Sequence, residues 1–227
     1  MMSDDDVAKK AAAQAAVLFV EDGMIVGLGT GSTAYYAIQL IGRKVLAGLN
    51  IQAVPTSQAT AVLAEENHIP LLSEFTEVDV TIDGADEVDG EGNLIKGGGG
   101  ALTREKIVAA ASKKEVIIVD ESKIVTKLGK FPLPVEVLSF GWASVSRQIQ
   151  NLGSQVTLRK DGDEMFLSDN QNYILDCIFD DFGDLEKIST QINTIPGVVE
   201  NGLFLSLADL VIVGKRDGST QIIQFTR

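Results

Sequence analysis

The sequence predicts an α/β protein: a Rossmann-like, mostly parallel sheet with helices on both faces, plus a smaller ferredoxin-like α+β domain. Three observations carry that expectation. Short apolar runs alternate with stretches of helical periodicity through about residue 130, the pattern of parallel strands joined by crossover helices. Phe131-Pro132-Leu133-Pro134 then breaks the alternation with two prolines. Beyond it the order becomes strand, helix, strand, strand, helix, strand, which fits a ferredoxin-like module. The expected division is 1–130 together with 207–227 as the larger domain, and 131–206 as the smaller one.

Each element has a local reason. Residues 4–21 place Val7, Ala11, Ala15, Leu18 and Phe19 at helical spacing, with three aspartates at the positive helix end and Gly23 as a stop. Residues 24–28 form a short strand that runs through Gly29-Thr30-Gly31-Ser32-Thr33 into a helix reaching about 46. A strand over 50–55 precedes a helix to about 67, then brief strands at 69–72 and 78–83. Leu94-Ile95 is short and extended, 103–112 is helical, and 115–120 is a further strand. The smaller domain takes strand 135–138, helix 142–152, strands 155–159 and 173–179, helix 185–195 and strand 198–205. Residues 210–214 and 221–225 make a hairpin turned at Asp217-Gly218, expected to return to the first domain. In parallel sheets ligands bind beyond the carboxyl ends of the strands. That places 29–33, 83–89 and 120–123 on one rim.

Composition narrows the function classes. A chain of 227 residues with 45% hydrophobic content can bury a sizeable core. The formal charge of −13 disfavours nucleic-acid partners, while a local site can still be positive. The single cysteine, Cys177, excludes an internal disulfide and a cysteine-based zinc site; it lies in an apolar run and reads as a buried thiol. Met-Met-Ser-Asp-Asp-Asp lacks the basic and apolar regions of a secretory signal, and no apolar run approaches the ~20 residues of a membrane span. The expectation is a soluble, cytoplasmic protein with no membrane partner.

The chemistry concentrates between Asp83 and Lys106, where acids, a lysine and four consecutive glycines stand between apolar runs. Four glycines cost backbone entropy and bury nothing, so close approach to a ligand is the reason to keep them. Gly29 to Thr33 follows a strand and opens a helix, and amides and dipole there can hold an anion; a tight turn capped by Ser or Thr is the plain alternative. It fails as a dinucleotide fingerprint, because Ser32 takes the last glycine position and no ribose-binding acid ends the next strand. It is not a P-loop either. Asp83 and Asp86 end a strand and suit sugar hydroxyls and proton exchange at a ring oxygen. Glu87, Asp89 and Glu91 read as a solvated acidic turn, and the EF-hand spacing fails from Asp83, Asp86 and Asp89.

Lys96 beside Gly97, Gly98, Gly99 and Gly100 puts a cation next to bare amides. That is either a flexible loop or a site for developing negative charge. Glu105 lies in the first turn of a helix, where a structural glutamate is common. The dipole there favours a charged carboxylate, so a strong base needs a neighbouring carboxylate or an apolar wall. Lys123 is a surface lysine or a second cation for a phosphate. His68, the only histidine, follows a helix end and reads as helix-end duty, and Trp142 reads as core. One histidine leaves no Ser-His-Asp triad and no histidine-rich metal site.

Taken together, G-L-G-T-G-S-T, T-I-D-G-A-D-E-V-D, L-I-K-G-G-G-G-A-L-T-R-E-K, D-E-S-K and K-F-P-L-P-V-E-V, in this order, resemble the A-type ribose-5-phosphate isomerases. I-P-G-V-V and N-G-L-F near 195–204 also fit, so the likeness covers nearly the whole chain, and no motif position departs. The resemblance implies an aldose–ketose isomerase acting on ribose 5-phosphate without metal or cofactor, in the non-oxidative pentose phosphate branch, and a homodimer or homotetramer. It makes Glu105 the base that moves a proton between C2 and C1 through a cis-enediolate. Asp83, Asp86 and Lys96 open the ring and steady the oxyanion, with amides of Gly97 to Gly99. Thr30, Gly31, Ser32, Thr33 and Lys123 hold the phosphate, Gly84 and Ala85 line the sugar, and Lys9 or Lys10 reaches toward the phosphate. Two rivals stand beside it. A noncatalytic sugar-phosphate sensor would show no turnover, and a nicotinamide dehydrogenase would bind NAD(P)H.

Overall fold

The structure is a computed structural model and describes residues 3–226; Met1, Met2 and Arg227, including the first two residues of the Met-Met-Ser-Asp-Asp-Asp start, lie outside them. In chain order the first half runs α1 Asp4–Ala16, β1 Ile25–Leu28, α2 Ser32–Leu46, β2 Gln52–Pro55, α3 Gln58–Glu66, β3 Val80–Asp83, β4 Glu87–Val88, β5 Leu94–Ile95, α4 Leu102–Ala111 and β6 Glu115–Asp120. The second half runs β7 Leu133–Val137, α5 Trp142–Gln150, β8 Ser154–Leu158, β9 Lys160–Asp161, β10 Glu164–Met165, β11 Tyr173–Phe179, α6 Leu185–Asn193, β12 Val198–Asn201, β13 Leu203–Phe204, β14 Leu210–Gly214 and β15 Thr220–Gln224. No helix among the described residues is long and apolar enough to cross a membrane.

By packing, the chain divides into two units. The first takes the residues up to Ala85, Arg104–Ile124 and those from Ser206 on. Its six-stranded sheet has the order β15-β14-β6-β3-β1-β2, parallel except for β15. Strand alternation divides the side chains between two faces. Val26, Leu28, Val80, Ile82, Val116 and Ile118 join Ala12, Ala16, Ile38 and Ile41 of α1 and α2 in one core. Ile25, Val54 and Val78 pack with Val108 and Ala111 of α4 in another. Helices therefore cover both faces, as the sequence predicts. Gly27 sits where α4 comes closest: a Cβ there would lie 2.8 Å from Val108 Cγ1 and 1.9 Å from Thr81 Oγ1. The C-terminal hairpin joins this sheet through the parallel β14–β6 pair.

The second unit takes Asp86–Thr103 and Val125–Leu205. Its main sheet has the order β12-β7-β11-β8 with every pair antiparallel, the ferredoxin-like arrangement. α5 and α6 contribute Val145, Ile149, Ile188 and Ile192 to a core with Val135, Leu175 and Cys177. This division differs from the expected one at 86–103 and 125–130, which pack with the second unit. The reason lies in backbone pairing: β4 pairs with β5, and β5 with β13. Val125 also donates to Val88 O at 2.9 Å, and the Glu87 carboxylate accepts Gly129 N–H and Phe131 N–H, each at 2.7 Å.

Two smaller expectations change as well. Residues 69–72 form no strand of a sheet, only an isolated Ala53–Leu71 bridge. The predicted strand 198–205 is two strands in two sheets, because the chain at Gly202 crosses so close to Lys96 O that a Cβ would sit 2.4 Å from it.

Candidate active site

In the first unit, β1, β3 and β6 are parallel neighbours; Gly29 and Asp83 end β1 and β3 side by side, and β6, whose Ile117 pairs with Asp83, runs on to Asp120. Asp83 is fully buried, and its Oδ1 accepts the N–H groups of Thr30 at 3.0 Å and Gly84 at 2.7 Å. Only glycine fits at 29, since a Cβ would lie 2.1 Å from that same oxygen. The end of β3 thus shapes the loop after β1. α2 begins at Gly31, in an extended positive-φ conformation (φ 113°), with no side-chain cap over its first turn. Gly31 and Ser32 are exposed and Thr33 is buried. An uncapped helix start with accessible amides suits an anion.

Thr30 is placed differently from an open donor. Its hydroxyl donates to Ser57 Oγ (2.9 Å), Ser57 Oγ to Thr60 Oγ1 (2.9 Å), and Thr60 Oγ1 to the Gly29 carbonyl (3.0 Å). Thr56 adds a contact to Thr30 Oγ1 at 2.8 Å and donates to Leu28 O at 3.0 Å. Thr30 braces the loop through this relay. Sequence reasoning missed Thr56, Ser57 and Thr60, although Ser57 carries an N-cap signal: it accepts Thr60 N–H at 3.0 Å. A cleft of about 260 Å³ lies against the loop, lined by Gly29, Thr30, Gly31, Tyr35 and Thr60. Lys123 is half-buried in a short 3₁₀ turn after β6, capped by Asp120, whose carboxylate accepts Ser122 N–H at 2.9 Å. Glu105 lies in the first turn of α4 and is 5% exposed, so its carboxyl group is buried instead of facing bulk water. Lys9 and Lys10 are half-buried on α1.

In the second unit the four glycines form a turn, closed by Gly100 N–H to Gly97 O at 2.9 Å. Asp86, half-buried, accepts Gly98 N–H at Oδ2 (2.7 Å). Lys96, at the head of the turn, is 2% exposed, and its Nζ lies 5.4 Å from the centroid of the Phe204 ring. Lysine is almost never buried without a task. Gly98 and Gly99 at the corners are exposed, while Gly97 and Gly100 are buried. The acids of the expected solvated turn behave differently: only Glu91 is exposed. Glu87 is buried and holds the 129–131 backbone, and Asp89 caps its own turn by accepting Glu91 N–H and Asn93 N–H at 2.9 Å each. Gly84 and Ala85 are half-buried. Among the described residues no group of three or more His, Cys, Asp or Glu is placed to hold a metal ion.

The remaining candidates resolve simply. His68 is exposed with φ 59° and donates its N–H to Glu65 O at 3.0 Å, a left-handed helix end. Trp142 packs against the second core. Burial pushes the Cys177 thiol up to about 12, which leaves it inert as a nucleophile.

The sequence and fold have known counterparts. The family profile described as ribose 5-phosphate isomerase A (phosphoriboisomerase A) matches residues 52–218. A protein named ribose-5-phosphate isomerase A from Bacillus thuringiensis subsp. konkukian is 54% identical over 220 residues, covering 94% of this chain and 99% of its own. The solved ribose 5-phosphate isomerase A of Neisseria gonorrhoeae superposes with a TM-score of 0.92 at 39% identity, covering all of both chains. A D-ribose-5-phosphate isomerase in complex with phospho-erythronic acid gives 0.93 at 40% identity, covering 98% of this chain and all of its own. The chain belongs to the ribose 5-phosphate isomerase A family.

Proposed function

We propose that this enzyme interconverts D-ribose 5-phosphate and D-ribulose 5-phosphate by general acid–base proton transfer, without a metal or cofactor. The observation that carries the reading is Lys96, buried at the head of a four-glycine turn whose Gly98 amide is tied to Asp86. An ammonium buried beside the peptide groups of a glycine turn is suited to stabilise a developing oxyanion.

The roles follow from chemistry. The α2 start at Gly31, Ser32 and Thr33, braced by Thr30 and joined by Lys123, takes the phosphate. Holding that nonreacting end orients the sugar. Asp83 and Asp86 exchange protons with the ring oxygen and anomeric hydroxyl to open the furanose, with the backbone of Gly84 and Ala85 beside them. The Glu105 carboxylate removes the C2 proton of the open aldose. Electrons move into the C1–C2 bond, and negative charge collects on the carbonyl oxygen, where Lys96 and the amides of Gly97 to Gly99 stabilise it. Glu105 delivers a proton to C1 while a proton passes from the C2 hydroxyl to the C1 oxygen, and the cis-enediolate becomes the ketose. The reading includes a cytoplasmic homodimer or homotetramer, carried by the family resemblance; analytical ultracentrifugation of the purified chain would count the copies.

The test is conversion of ribose 5-phosphate by the purified chain after treatment with EDTA. Full activity is expected; no conversion, or activity that returns only with added metal, contradicts the reading. One solved relative is a complex with phospho-erythronic acid. Its carboxylate places negative oxygen at the end of the chain away from the phosphate, as the five-carbon enediolate does. It should therefore inhibit this enzyme competitively. Lys96→Ala should lose about tenfold more affinity for it than for inorganic phosphate.

A further inference from the structure

We infer that Arg159 is a positioning residue for the reaction, holding the four-glycine turn in the one peptide orientation that presents donors to the oxyanion. The inference rests on the role proposed above for the Gly97 to Gly99 amides. Arg159, just after β8, has a side chain 13% exposed whose Nη1 donates to Gly97 O and to Gly98 O, each at 3.0 Å. Its other edge forks onto Asp176: Nε donates to Oδ2 at 3.0 Å and Nη2 to Oδ1. Its Cζ stacks 5.6 Å from the Phe166 ring centroid. The same ring closes the end of the turn, since a Cβ on Gly100 would lie 2.4 Å from Phe166 Cε1.

In a trans peptide the carbonyl and the following N–H point in opposite directions. Pulling Gly97 O and Gly98 O toward Arg159 therefore turns the N–H groups of Gly98 and Gly99 to the opposite side. That side is Asp86's, because Gly98 N–H meets Asp86 Oδ2 at 2.7 Å. The Gly97–Gly98 peptide has further support from the Gly100 N–H to Gly97 O bond at 2.9 Å. The central Gly98–Gly99 peptide is the vulnerable one. Type I and type II turns differ by a flip of this unit, and glycine at both corners tolerates either form. A flip would replace the Gly99 donor with the Gly98 carbonyl, an acceptor aimed at negative charge. The Nη1 bond to Gly98 O opposes that flip, and the Asp176 fork and Phe166 stack fix the guanidinium that makes it.

The test compares Arg159→Met and Arg159→Lys with wild type for kcat and KM on ribose 5-phosphate, for inhibition by inorganic phosphate, and for thermal midpoint. Methionine keeps an apolar stem against Phe166 and removes every donor. Losing an oxyanion donor outright costs about 10²- to 10³-fold in kcat, and a turn that flips part of the time loses less. Arg159→Met is expected to lose about tenfold or more in kcat, with KM and phosphate inhibition within about twofold. Arg159→Lys should fall between, since its ammonium can reach the carbonyls without the fork. Arg159→Met retaining half of wild-type kcat overturns the inference, as does a loss carried by KM. Should Arg159→Met fail to fold, Arg159→Lys decides: lowered kcat at wild-type KM supports the inference, and wild-type kcat overturns it. Absence of turnover in the wild-type enzyme itself sinks the proposed function, and the inference with it.

Discussion

At the scale of single residues, the site depends on positions where an ordinary side chain has no room or no reason to be. Gly29 is one. Its missing Cβ leaves space for Asp83, whose Cα would lie only 2.5 Å from the added atom. Gly29→Ala must push β1 and β3 apart, so a destabilisation of about 1–3 kcal/mol is expected in chemical unfolding, with a raised KM for ribose 5-phosphate. A variant with wild-type stability and KM would show that the loop does not depend on the Asp83 brace. Lys96 is another, and the sequence already pointed to it through the glycines that follow. What the sequence could not reveal was the difference between Glu87 and Glu91, two acids in one run. Only the fold brings the 129–131 backbone to Glu87. Thr30 was legible as a loop hydroxyl, but its inward relay through Ser57 and Thr60 needed the turn after β2 to arrive beside it.

At the scale of elements, buried polar groups fix how the segments around the site are held. Glu136 on β7 is fully buried and accepts from Thr103 Oγ1, Ser168 Oγ at 2.8 Å, Asn170 Nδ2 at 3.1 Å and Asn172 Nδ2 at 2.8 Å. A buried carboxylate is tolerable when neutral donors satisfy it this fully. Glu136→Ala strands those donors, each costing about 1–3 kcal/mol, so a total loss above about 3 kcal/mol is expected by denaturant titration. A loss under about 1 kcal/mol would mean water replaces the carboxylate.

Strand β11 carries a second test. Burial raises the Cys177 thiol from its ordinary 9.0 to about 12, so the folded chain keeps a proton that the unfolded chain releases. The stability this group contributes is whole below pH 9 and is lost as pH climbs to about 12. The stability difference between wild type and Cys177→Ala should therefore shrink over that window, by on the order of 4 kcal/mol at its end. A difference that stays flat contradicts the burial. Most of these elements were legible from periodicity and turn residues. β12 and β13 were not separable in sequence, because the break at Gly202 is set by contact with the Lys96 backbone and not by a local breaker.

At the scale of the whole molecule, the order of strands and helices and the return of the C-terminal hairpin to the first unit could be read from the sequence, and the packing of 86–103 and 125–130 with the second unit could not. A proline pair suggested one cut near residue 131, yet Pro134 lies inside β7 and residues 86–103 pack with the second unit. The chain passes between units at Ala85–Asp86 and again at Thr103–Arg104. Those joints stand beside Asp86 and one residue before Glu105. Long-range pairing of β5 with β13 dictates that interleaving, and no local pattern encodes it. The most direct measurement follows ribose 5-phosphate in D₂O by proton NMR with wild-type enzyme and Glu105→Gln. Wild type should form ribulose 5-phosphate carrying deuterium at C1. Glu105→Gln should lose about 10²- to 10⁴-fold in both turnover and exchange, while binding inorganic phosphate as wild type does. Turnover at half the wild-type rate or better in Glu105→Gln would contradict proton transfer by Glu105.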